Sequence, residues 1–90
     1  MSLPNAFTPN GDNLNSSFGV VDYGSDLAVE YMAIYERWGQ KVFESHSKDQ
    51  RWDGRYEGKD APSDVYGYVI RVRFANGETK EEHGDVTLLR

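Results

Sequence analysis

Val65-Tyr66-Gly67-Tyr68-Val69-Ile70-Arg71-Val72-Arg73-Phe74 is the stretch on which the fold turns. Tyr66, Tyr68, Ile70, Val72 and Phe74 share one face, and Gly67, Arg71 and Arg73 share the other with Val65 and Val69. Side chains of an extended strand alternate between faces, so a period of two here specifies a half-buried β-strand and not a helix.

The neighbouring segments follow the same logic. Leu27, Val29, Tyr31, Ala33 and Tyr35 alternate with Ala28, Glu30, Met32, Ile34 and Glu36, which is again strand-like. The inward face of this run is ambiguous, because Met32 and Ile34 compete with the aromatic set. Gly39 after Trp38 offers a tight turn into Gln40 to Ser45, so these two runs should form a hairpin. Asn76-Gly77 is a still better hairpin signal, since both residues tolerate positive φ. A final run, Val86 to Leu89, follows Gly84, and Ala6 to Thr8 and Ser17 to Val21 are expected to add edge strands. His46 to Asp64 is polar and rich in Gly and Asp, and should be loop with at most a short strand around Arg51 and Trp52. No segment shows the caps and apolar stripe of a helix. The expected fold is all-β, an immunoglobulin-like antiparallel β-sandwich of six or seven strands.

The chain has 90 residues, enough for one small domain. A chain of that size hides only about 60 to 65% of its unfolded surface, so its stability is limited by its core. Six Tyr, four Phe and two Trp compensate, since each is a large apolar body. There is no cysteine, which removes disulfides, thiolate metal ligands and a thiol nucleophile. A net charge of −5 with dispersed Lys and Arg argues against nucleic acid as a partner. No apolar run approaches the roughly 20 residues of a membrane-spanning helix. Residues 1–3 look like an added leader, so residues 4–90 are read as a single domain taken from a longer protein.

Catalytic groups are scarce. His46 and His83 are the only histidines, each in a polar segment, and a Ser45, His46, Asp49 grouping lacks the convergence from separate elements that a triad needs. Asp53 and Asp60 could be paired for glycosidic cleavage, but both lie in a turn-rich loop. Asn10, Asp12 and Asn15 form an oxygen-rich loop that suits calcium, although one carboxylate is few for that ion and an Asx turn explains the same residues. Trp38 and Trp52, with Tyr23, Tyr35 and Tyr56, could stack sugars; as readily, they anchor the core and the hairpin corners. Lys80, Glu81 and Glu82 read as a solvated edge that resists strand addition.

Taken in order, Pro4-Asn5-Ala6-Phe7-Thr8-Pro9-Asn10-Gly11-Asp12, Arg37-Trp38-Gly39 with Val42-Phe43-Glu44-Ser45, Trp52-Asp53-Gly54 with Gly58 and Pro62, Tyr66-Gly67-Tyr68 and Val86-Thr87-Leu88 with Arg90 resemble the gliding motility-associated C-terminal domain. The similarity runs from Leu3 to Arg90. It implies a C-terminal sorting and attachment module of a large protein exported by Bacteroidetes-type bacteria through the type IX secretion system. Its partners would be the outer-membrane machinery and the parent protein's remainder, its place the cell surface or beyond. No catalysis and no cofactor are implied.

The Trp-Asp-Gly, Pro and Tyr-x-Tyr pattern is also similar to the immunoglobulin-like domain of flagellar hook-capping proteins, which lacks the Arg-Trp-Gly hairpin. This chain departs from the first family's pattern at Asn13 and Asn15-Ser16, which weakens a cation site there, and at Glu36 and Asp64, both turn positions. The sorting surface is expected at Asn10, Gly11 and Asp12, at Arg37, Trp38 and Gly39, and at Arg90. Trp52, Asp53, Gly54, Tyr66 and Tyr68 are expected to be structural. The rival function is a carbohydrate-binding or adhesion module using exposed Trp and Tyr.

Overall fold

The alternating stretch is the central strand of a five-stranded sheet. In a computed structural model that describes residues 5–9, 17–20 and 27–90, the strands are β1 (Ala6–Phe7), β2 (Leu27–Tyr35), β3 (Lys41–Ser45), β4 (Arg55–Tyr56), β5 (Lys59–Asp60), β6 (Asp64–Phe74) and β7 (Thr79–Leu88). The sheet runs β1-β7-β6-β2-β3, and β4 and β5 form a separate small hairpin. The fold is an all-β, sandwich-like arrangement. The loop at Asn10, Gly11, Asp12 and Asn15, together with Val21 and Tyr23, lies outside the described residues.

Strand β2 resolves its own ambiguity with a β-bulge. Its pairing to β6 slips between Val29 and Tyr31, so Leu27 and Val29 face the core before the slip and Met32 and Ile34 face it afterwards. An extra residue in one strand reverses the alternation beyond it. Both halves of the competing pattern are thereby satisfied: Leu27, Val29, Met32 and Ile34 are all buried against Ile70 and Val72 of β6.

The structure differs from the expectation at four places. The short β1 joins β7 in parallel, through Ala6↔Thr87 and Phe7↔Leu88, in a sheet otherwise antiparallel. Strand β7 begins at Thr79, not Val86, because Lys80, Glu81 and Glu82 pair with Val72, Arg71 and Ile70. Of the segment expected as an edge strand at Ser17 to Val21, the described part makes one bridge, Phe18↔Trp52. The 46–64 segment, expected as loop, contains the β4–β5 hairpin.

The β2–β3 and β6–β7 turns are of one kind. At the β2–β3 turn the Gly39 N–H donates to the Glu36 carbonyl and the Glu36 N–H to the Gln40 carbonyl, with Gly39 at φ 91°. At the β6–β7 turn the Gly77 N–H donates to the Phe74 carbonyl and the Phe74 N–H to the Glu78 carbonyl, with Gly77 at φ 87°. These are three-residue loops closed by a left-handed glycine. Only Gly77, and not Asn76, takes positive φ; Asn76 instead accepts a hydrogen bond from the Glu78 N–H at 3.0 Å.

A thin second layer covers the aromatic face of β6. The Phe18 and Trp52 backbones exchange hydrogen bonds of 2.8 and 2.9 Å. Arg51 fastens this layer by donating to Ser17 Oγ and to the carbonyls of Ser17 and Val20. Trp52 is fully buried, with ring centroids 5.4 Å from Phe7 and 5.0 Å from Tyr66, the latter edge-on. Its indole N–H is satisfied by the Arg55 carbonyl at 3.1 Å. Phe18 stacks at 5.3 Å on Tyr68, whose ring fills the space above Gly84.

The two tryptophans therefore respond oppositely to truncation. Trp52→Ala should cost about 3–5 kcal/mol in urea denaturation, as large core aromatics do. Trp38→Ala, at a residue 84% exposed, should change stability by no more than about 0.5 kcal/mol.

Candidate functional site

The β2–β3 turn and the β4–β5 hairpin stand side by side and leave a cleft of about 350 Å³ between them. Its walls come from Glu36, Arg37, Trp38, Gln40 and Val42 on one side and from Tyr56, Glu57, Lys59 and Asp60 on the other. Ala61, Pro62, Asp64 and Tyr66 complete the lining. The volume is at the small end of the roughly 300–1,000 Å³ usual for ligand sites.

Each wall is braced by named contacts. The Glu36 carboxylate accepts from the N–H groups of Trp38 at 3.0 Å and Gln40 at 3.1 Å, so it stiffens the turn that carries Trp38. Arg37 pairs with Asp64 at 2.7 Å, tying the turn to the start of β6. The Gln40 side-chain amide donates to the Tyr56 hydroxyl at 2.9 Å and joins the two hairpins directly. Tyr66 donates its hydroxyl to the Pro62 carbonyl at 2.7 Å, which fixes the 62–66 bend and satisfies a buried polar atom.

Arg90 braces the far wall from behind. Its guanidinium donates to the carbonyls of Ala61 and Gly54, and its backbone N–H donates to Ser63 Oγ. Gly54 is held at φ 80° with Pro9 Cγ 2.9 Å from where a Cβ would sit, so a side chain there is both strained and obstructed. Asp53 closes a local turn by accepting from the Arg55 N–H at 3.1 Å.

Of the residues expected at a recognition surface, the structure brings Arg37, Trp38 and Gly39 together at the corner and sets Arg90 behind the loop that forms the opposite wall. Trp38 is the exposed tryptophan, and Trp52, Tyr66 and Tyr68 sit in or against the core. Asn10, Gly11 and Asp12 lie outside the described residues, as does the calcium reading of Asn10, Asp12 and Asn15. The sequence reading missed Asp64 as the partner of Arg37. Its signal was present in the chain: an acid stood where the resembling family often has glycine.

The histidines stand apart from the cleft. His46 contacts the Glu30 carbonyl at 3.0 Å and Glu44 at 3.3 Å on the opposite face of the sheet, and His83 lies 3.6 Å from Glu81. Asp49 bonds Ser47 through its backbone. Among the described residues, no group of three or more His, Asp or Glu side chains is placed to hold a metal ion. No helix among them is long and apolar enough to cross a membrane.

A family model described as the CHU_C Type IX secretion signal domain matches residues 1–88. The chain belongs to this family. No curated protein matches it. Membership in the type IX secretion signal family supports a C-terminal sorting role. It implies recognition by the secretion machinery as part of a larger protein, and export to the cell surface or extracellular space.

Within the secretion signal domain, Asp64 reports the state of the corner. Its carboxyl is held below the usual aspartate range, first by the hydrogen bond from the Val65 N–H and then by Arg37. A depressed carboxyl stabilises the fold above its unfolded-state pKa, and that contribution is lost as pH falls through the lower, folded value. In a side-chain NMR titration, Asp64 should titrate below ordinary aspartates. Arg37→Ala should move its midpoint upward only part of the way, since the Val65 bond remains. Full return to the ordinary range would show that the backbone bond contributes nothing.

Proposed function

We propose that this domain is a non-catalytic sorting and attachment module, recognised as a folded surface by the outer-membrane machinery of type IX secretion. The observation that carries the reading is the family match across residues 1–88. The geometry supports it in a second way. The corner of Arg37, Trp38 and Gly39 is exposed, yet it is braced by Asp64, Tyr56 and its own Glu36. A recognition surface that is rigid before contact loses little conformational freedom on binding. We place the centre of the recognised surface at this corner, with Arg90 acting indirectly by holding the opposite wall. The histidines and paired carboxylates, engaged separately in hydrogen bonds and ion pairs, give no reason to add catalysis to this role.

The test is export of a reporter. A signal peptide, a monomeric fluorescent protein and residues 1–90 in series should place the reporter outside cells that have a type IX system. A folded fusion held in the periplasm would contradict the reading. Trp38→Ala and Arg37→Ala should each reduce exported reporter several-fold without lowering its folded amount in the periplasm, whereas Lys80→Ala, on β7 away from the corner, should export normally.

A further inference from the structure

Two side chains on the cleft are there for no reason that the fold supplies. Trp38 exposes 84% of its surface at the tip of a turn whose geometry requires only Gly39. Glu57 occupies the first position of the two-residue β4–β5 turn, at φ 53°, with Gly58 at φ 78°. Such turns favour Asn, Asp or Gly at that position, because a longer L side chain is strained in the left-handed region. Among the described residues the Glu57 carboxylate has neither a hydrogen bond nor an ion pair, so local bonding does not account for it.

Both features attract the same kind of group. The face of an indole is the most electron-rich of the aromatic side chains toward a cation, and a free carboxylate is its natural counter-ion. The charged lining leans the same way: Arg37 pairs with Asp64, and Asp60 lies 3.7 Å from both Arg55 and Arg90, which leaves the Glu36 and Glu57 carboxylates against Lys59 alone. Val42, Ala61, Pro62 and Tyr66 add apolar surface, which suits the long hydrocarbon stem that carries the charge of lysine or arginine. The cleft's 350 Å³ fits one such side chain and not a packed helix.

We infer that this cleft receives a lysine or arginine side chain from the protein that recognises the domain, with the cationic head between the Trp38 indole and the Glu57 carboxylate. The inference rests on the sorting reading for the identity of the partner and on the cleft alone for its chemistry. A neutral saccharide could use the indole, but it leaves a strained carboxylate without a purpose.

The test is an NMR titration of the isotopically labelled 90-residue chain with acetyl-Gly-Arg-Gly-amide, followed at the Trp38 indole N–H and the Trp38 and Glu57 amides. The same peptide with citrulline, which keeps the shape and removes the charge, and cellobiose serve as comparisons. The arginine peptide should shift these signals saturably, with weaker binding in higher salt, and the two neutral probes should not. Glu57→Gln should weaken binding about fivefold. Glu57→Asn, which relieves the backbone, should weaken it similarly while raising thermal stability. Equal shifts from the citrulline peptide, a response to cellobiose alone, or no shift with arginine would each overturn the inference. Were export to need Trp38 while arginine left the indole unmoved, the cationic partner would be wrong and the sorting reading would stand. Binding of the arginine peptide with export indifferent to Trp38 and Glu57 would overturn the assignment of the site to the machinery.

Discussion

The burial of one indole organises this molecule. Trp52 touches Phe7 of the parallel strand and Tyr66 of the central strand, exchanges backbone hydrogen bonds with Phe18, and donates its N–H to the carbonyl at the start of the β4–β5 hairpin. It is thus the point where the amino-terminal segment, the sheet and the second layer meet. A five-stranded sheet with one aromatic face cannot remain open in water, and 90 residues leave little else to cover it. Apolar area is concentrated in a few rings because rings cover most surface per ordered residue.

The corner cleft is a consequence of that plug. Trp52 and Arg90 hold the loop from Gly54 to Ala61 against the sheet, and the loop in turn sets the β4–β5 hairpin opposite the β2–β3 turn. Neither hairpin would define a surface alone. Together, linked by Gln40 to Tyr56 and by Arg37 to Asp64, they present a fixed concavity with an uncovered indole at its rim. A sorting signal that is read as shape needs this kind of rigidity, and a small domain obtains it by spending its core residues on the loops as much as on the sheet.

The long strands were legible because their alternation is a property of the chain itself: β6 was readable residue by residue. Strand β2 could not be oriented from sequence, since a bulge is decided by pairing with β6 and leaves two apolar sets of equal weight. The β4–β5 hairpin was hidden in a polar segment because its two-residue strands owe their existence to Trp52 and Arg90 and not to any apolar pattern. Of the site, Arg37, Trp38 and Gly39 were found through their motif. Tyr56 was singled out only as one of several aromatics that could stack a sugar, and Asp64 and Glu57 were not found, because their place in the cleft depends on which loops the fold sets side by side. The opposite fates of the two tryptophans were likewise a tertiary matter: each is followed within two residues by a turn glycine, Gly39 or Gly54, and only Trp52 lies across the sheet.

The most direct measurement of this account is native-state amide hydrogen exchange. If Trp52 fastens the second layer to the sheet as one cooperative unit, the amides of Phe18, Trp52 and Ala61, which donate to backbone carbonyls, should exchange as slowly as those of Ile70 and Val72 in β6. Exchange of those three at the rate of an open loop, with the β6 amides still protected, would show that the second layer opens independently and that the cleft is not held by the core.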